Sequence, residues 1–217
     1  MKTLLFRSLL TLIIFSCMDS PDQKYSPIVS LQIHDLIKDS LLNIRALEIE
    51  DNRIRAVSAI GDSYSVDLRT NKVYVNRVNV DTINFRASAI VNNNYFTLSI
   101  GNPAYLFKDT ELVYKETHPN IFYDALHFWN SMEGVAIGDP VDGCMSILIT
   151  RNGGTSWNKV SCEVLPSSIE GEAAFAASNT SIKVLGKTAW IATGGTKARI
   201  FKSIDYRHGA KKVDKVL

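Results

Sequence analysis

Beyond about residue 28 the apolar positions alternate with polar ones far more often than they return at helical spacing. Val73, Val75, Val78 and Val80 alternate with one slip, as in a strand interrupted by a bulge or turn. Ile147 and Ile149 alternate before a glycine turn, and Ile200 and Lys202 lie in another short strand. Asn92-Asn93-Asn94, Gly134 and Gly186-Lys187 fall where hairpin turns belong. One stretch has two readings. Ile33, Leu36, Ile37, Leu41 and Ile44 fit a helical face, whereas Val29, Leu31 and Ile33 alternate and lead into the strands that follow.

A longer period overlies the alternation. Three segments open on an apolar-led strand and reach a glycine at nearly the same spacing. Ile44 leads to Gly61, 17 residues on; Phe85 leads to Gly101 and Phe122 to Gly138, each 16 on. A looser fourth copy runs from Phe175 to Gly194. The first three starts are 41 and 37 residues apart and the last is 53 further on. A period of ~40 residues built from short strands predicts an all-β propeller with about four recognisable blades.

The most specific motif is TRNGGTSW, Thr150 to Trp157. It resembles an Asp-box, the hairpin signature of BNR repeats in sialidases and related propellers. Thr150 and Asn152 can bond backbone groups of the turn, Gly154 can take a positive φ, and Trp157 can bury its ring against the sheet. Asn152 stands where the signature has Asp and can make similar turn bonds. A degenerate copy lies at Ser203 to Arg207, with arginine in the glycine position and no following tryptophan. FYDALHFWNSMEGVAIGDPVDG, the Asp-box, EGEAAFAAS and IATGGTKARIFKS follow in an order that resembles a bacterial propeller family. Its members are labelled photosystem II stability/assembly-factor-like or BNR-repeat proteins, often loosely "oxidoreductase". The likeness is clearest from about Phe85 to Ser203. It implies a propeller, usually seven-bladed, without an established catalytic apparatus.

The N-terminus changes the picture from a fold to an address. Residues 1–16 carry Lys2 and Arg7 ahead of a short apolar run, too short for a spanning helix, which needs about 20 residues. Ile14-Phe15-Ser16-Cys17 resembles a bacterial lipobox, so Cys17 is the expected lipidation site. Ordinary signal cleavage and a residual anchor are the alternatives. The expected organisation is a signal over 1–16, a polar tether over 17–27 and propeller repeats over 28–217, on a membrane-anchored lipoprotein of the bacterial cell envelope. Its expected partners are the membrane, through the anchor, and a protein.

Composition then removes other classes. The 217 residues are 46% hydrophobic and 21% charged, with 24 Lys+Arg against 22 Asp+Glu. These values exclude a disordered tail, a multi-span membrane protein and a basic nucleic-acid binder. Losing the signal leaves 22 basic against 22 acidic side chains. The remaining 201 residues hold about five units, whereas a closed seven-blade ring would need about 280, so a partial, truncated ring is expected.

Candidate chemistry is sparse. A sialidase needs an arginine cluster, a tyrosine nucleophile with a glutamate partner, and an acid/base. Arg45, Arg86 and Arg199 each fall in a repeat and could converge, but spacing assigns no tyrosine–glutamate pair, and no catalytic set is identifiable. A carbohydrate-active enzyme on the same fold is the alternative function. Asp139, Glu172 and Arg199 match motifs of the resembled family and form a candidate binding face; turn anchoring is their other reading. The four histidines share no metal-ligand spacing, and no cofactor motif occurs, so neither metal nor cofactor is expected. A small-molecule or glycan ligand stays open. Cys144 and Cys162 lie nine residues either side of Gly153, so in a regular hairpin they would lie opposite each other or one step off register. They are expected either as a disulfide or as two buried thiols.

Overall fold

The computed structural model describes residues 30–175 and 179–203, and the backbone alone of Val213–Val216. The signal, Cys17, most of the tether and the degenerate motif beyond Ser203 lie outside the described residues. The chain forms two units, Met1–His34 and Asp35–Leu217. Residues 30–34, the described part of the first, have no regular element.

The second unit is a β-propeller of four blades among the described residues. Blade 1 is β1 (Ile44–Glu50), β2 (Arg53–Ser58), β3 (Asp62–Asp67) and β4 (Lys72–Arg77), and blade 2 is β5 (Phe85–Val91), β6 (Asn94–Ser99), β7 (Ala104–Lys108) and β8 (Glu111–Glu116). Blade 3 is β9 (Tyr123–Phe128), β10 (Gly134–Val141), β11 (Cys144–Thr150) and β12 (Asn158–Lys159). A two-stranded sheet of β13 (Glu172–Ala173) and β16 (Gly194–Gly195) flanks blade 4, made of β14 (Ile182–Leu185), β15 (Thr188–Ala192), β17 (Ile200–Ser203) and β18 (Val213–Val216). Every pairing is antiparallel, and each sheet runs from its first strand outward in chain order. The first strands are neighbours in succession, β1 to β5 to β9 to β14, which sets the blades around a common axis.

Turn chemistry spaces the strands. Asn92 and Asn93 both take positive φ (49° and 63°), as do Asp142 and Gly143 (55° and 93°), the geometry of a tight hairpin turn that matches strand twist. The Asp67 carboxylate accepts the N–H of Arg69 and of Thr70, closing the β3–β4 turn.

The core lies between blades rather than within one. Blade 1 meets blade 2 through Ala46, Val57, Phe85 and Phe107; blade 2 meets blade 3 through Phe96, Leu98, Leu126 and Trp157; blade 3 meets blade 4 through Ile137, Ile182 and Phe201. Neighbouring residues of one strand therefore serve different cores, Ala125 facing blade 4 and Leu126 facing blade 2.

Two expectations need correction. The stretch before Ile44 is neither helix nor strand: Leu31, Ile33 and Leu41 stay exposed, and without burial neither periodicity is enforced. The fourth repeat does not begin a blade at Phe175, which is 56% exposed at φ 62°; its first strand starts at Ile182, after a segment spent on the small sheet.

Candidate functional site

The same irregularity recurs at the start of three first strands. Pairing skips one residue between Ile44 and Ala46, between Phe85 and Ala87, and between Tyr123 and Ala125. The bulged residues are Arg45, Arg86 and Asp124, all charged, and a bulge re-aims the side chain it carries. Each arginine is steadied by an asparagine two residues earlier: Arg45 Nη1 donates to Asn43 Oδ1 at 3.4 Å, and Arg86 Nε to Asn84 Oδ1 at 3.1 Å. Among the described residues neither arginine has a carboxylate at ion-pair distance.

Their electrostatics are coupled. Asp124 is fully buried, and among the described residues neither carboxyl oxygen has a hydrogen-bond partner of normal geometry. Burial, then the charge of Asp139, pushes its pKa up to about 8 against the pull of the Asp139 backbone N–H and, less, of Arg86. The Asp139 N–H is directed to Phe122 O at 2.8 Å. Burial also raises the Asp139 pKa, although its Oδ1 accepts the Ala174 N–H at 2.7 Å. The Arg86 pKa is lowered by burial and then by the Arg45 charge, with Asp124 opposing. Two cations and two acids thus gather at one end of the axis.

Further along the axis, Asn179 joins the blades. Its Oδ1 accepts the Leu126 N–H at 2.7 Å, and its Nδ2 donates to Ser88 O at 2.7 Å and to Glu48 Oε1 at 3.4 Å. The residue sits at φ 58°, a region asparagine tolerates better than most. One side chain thereby satisfies unpaired edges of two first strands and reaches a third.

The other sequence-derived candidates are distributed differently. Arg199 does not join Arg45 and Arg86. Its Nε donates to Glu172 Oε1 at 2.8 Å, its Nη2 to Glu172 Oε2 and to Ser167 O, and its guanidinium lies 4.6 Å from the Phe201 ring centre. Glu172 also accepts Thr193 Oγ1 at 2.6 Å and the Ile169 N–H at 3.0 Å. Burial works against the Glu172 carboxylate, yet these bonds hold its pKa below the ordinary value. Asp139, one ladder away through Ala174, anchors the same segment. This trio ties the β13–β16 sheet to its surroundings, with Glu172 only 5% exposed.

In TRNGGTSW, Thr150, Asn152, Gly154 and Trp157 close the turn. The Gly154 N–H donates to Thr150 Oγ1 at 3.0 Å, the Thr150 hydroxyl to Asn152 Oδ1 at 3.0 Å, and Trp157 Nε1 to Gly154 O at 3.2 Å. Gly154 has φ 76°, and a Cβ there would stand 2.2 Å from Phe96 of blade 2. The motif therefore fixes how blade 3 meets blade 2 as well as its own turn. Cys144 and Cys162 are joined by a disulfide, with Cα atoms 5.5 Å apart.

A tyrosine–glutamate pair that spacing did not reveal is present: Tyr123 donates to Glu116 Oε2 at 2.6 Å, beside Tyr114 at 2.8 Å and the Lys159 ammonium. Tyr123 is fully buried, and burial followed by Glu116 pushes its phenol up, the reverse of what a nucleophile needs. The bulge residues were equally hidden, because Arg45, Arg86 and Asp124 share a level only once the skipped pairings are known.

Sheet order and the succession of first strands define a β-propeller with a charged axial end. No protein-family model matches the sequence, and no curated protein matches it. Among solved structures, the chain is similar to the computationally designed Ika4 protein (TM-score 0.49, 11% identity, covering 78% of this chain and 98% of that one). It is also similar to U3-55K (TM-score 0.40, 7% identity, 83% and 82%) and to the WD40 repeats of RRP9 (TM-score 0.40, 7% identity, 83% and 81%).

Proposed function

We propose that this propeller is exported, anchored through a lipid on Cys17, and serves as a non-catalytic scaffold or binding module of an envelope complex. The observation that carries the binding role is the threefold bulge, which gathers Arg45, Arg86 and Asp124 at one end of the axis on rigid strands. Two arginines without carboxylate partners favour a protein that offers an acidic segment, and desolvated guanidinium groups contribute most to such recognition. With the signal removed the side-chain charges balance at 22 and 22, so attraction comes from local placement and not from net charge. The lipobox-like Ile14 to Cys17 supports the address, and the ordered motifs from Phe85 to Ser203 support kinship with the photosystem II assembly-factor-like propellers.

Affinity capture from membranes, with the anchor intact, tests both parts. The wild-type chain should retain one stoichiometric protein, and the Arg45→Glu/Arg86→Glu double variant should lose it while keeping the wild-type circular dichroism. Cys17→Ala should release the chain from the membrane fraction and abolish palmitate labelling. Retention of the same protein by the double variant would refute the assigned surface, and equal labelling of Cys17→Ala would refute the anchor.

A further inference from the structure

The seams between blades are filled unequally. Between blades 2 and 3 the rings of Phe96, Phe128 and Trp157 close on one another, with centroids 4.8 to 6.5 Å apart. Between blades 1 and 2 the inner layer is sealed by Ala46, Val57, Phe85 and Phe107, but the outer layer is open. Two adjoining pockets, of about 380 and 560 Å³, occupy it, and Arg53 and Arg55 line both. Such volumes fall in the range of small-ligand sites.

Arg55 and Tyr95 form the floor. The Arg55 guanidinium lies 5.3 Å from the Tyr95 ring centre, and its Nη1 is 3.7 Å from Asp109 Oδ1. Among the described residues its Nε is buried without a hydrogen-bond partner, and Tyr95, only 5% exposed, turns its hydroxyl inward toward Ser88. Strand register places Arg55, Ser65 and Tyr74 side by side across β2, β3 and β4, and Tyr74 is 58% exposed. Tyr74 thus offers an open ring beside the floor.

The charges decide what kind of ligand fits. Arg53, Arg55 and Arg69 stand against Glu50, Asp51 and Asp67 around the larger pocket. Neither an anion nor a cation would gain from such a balanced wall. Planar donors alternating with planar acceptors suit groups that both donate and accept, which means hydroxyls on adjacent carbons. A tyrosine face suits the C–H face of the ring that bears them. We propose that the groove between blades 1 and 2 binds a neutral saccharide of one to a few units, with Tyr74 stacking on it and Arg53 and Arg55 bonding its hydroxyls.

Titration calorimetry of the full chain with maltose and with chitobiose tests this. At least one sugar should bind saturably with Kd of about 1 mM. Tyr74→Ala and Arg53→Ala, both at exposed positions, should each weaken that binding about tenfold, a change of about 1.4 kcal/mol, and leave the melting temperature unchanged. Absence of heat from both sugars at about 10 mM, or binding indifferent to both variants, would overturn the proposal. Displacement of the sugar by inorganic phosphate would also overturn it, marking the groove as an anion site. The axial surface is not involved, so Arg45→Glu/Arg86→Glu should bind sugar normally.

Discussion

Asp124→Asn isolates the most unusual group in the fold. In the unfolded chain its carboxyl titrates near 3.8, and in the folded chain burial and Asp139 move it to about 8. A pKa raised by folding contributes stability that is complete below pH 3.8 and is lost as pH rises through about 8. Across that window the folded chain keeps the proton and the unfolded chain has released it. Each pH unit then weakens the fold by about 1.4 kcal/mol, or about 2.7 kcal/mol between pH 5 and pH 7. For a chain of this size that corresponds to about 5–10 °C in Tm. Asn cannot ionise, so its variant should show a pH slope smaller by this amount, whatever its absolute stability. Burial raises Asp139 in the same direction, so Asp124→Asn/Asp139→Asn should flatten the profile further. Thermal melts at pH 5, 6 and 7 provide the comparison. Parallel profiles for wild type and Asp124→Asn would refute the claim that Asp124 is folded as the neutral acid.

Three further perturbations probe how the blades are held together. Gly154→Ala places a Cβ against Phe96 at a left-handed φ, and urea melts should show a loss of about 2–4 kcal/mol. Asn179→Gly keeps the backbone conformation but strips the Leu126 N–H and Ser88 O of their partner, with an expected loss of about 2–4 kcal/mol. Hydrogen exchange at the Leu126 amide should quicken in that variant and not in Asn179→Asp. Cys144→Ala/Cys162→Ala opens a loop of sequence separation 18 and should lower stability by about 3 kcal/mol, while unreduced mass spectrometry of the wild type should find both thiols absent.

Much of the architecture was legible because strands and tight turns are local. Asn92-Asn93 and Gly186-Lys187 marked two hairpin turns, whereas Gly134 opens β10, and the ~40-residue recurrence of Ile44, Phe85 and Phe122 anticipated three first strands to within one residue. The hairpin roles of Thr150, Asn152, Gly154 and Trp157 follow from bonds spanning a few residues. The fourth blade was misplaced because Ala174 and Asn179, on either side of Phe175, are held by Asp139, Leu126 and Ser88, partners set by other blades. The bulges at Arg45, Arg86 and Asp124 depend on which residues pair across a ladder, a property of two strands that neither strand states alone. The open groove at Arg55 and Tyr95 depends on what faces a sheet from the next blade. Periodicity and turn chemistry thus determined that the chain would build a row of four-stranded blades. Which charges meet at the axis, which are consumed by Glu172 and Arg199, and which seam stays open were decided only in three dimensions, because burial and charge pairing belong to contacts between blades.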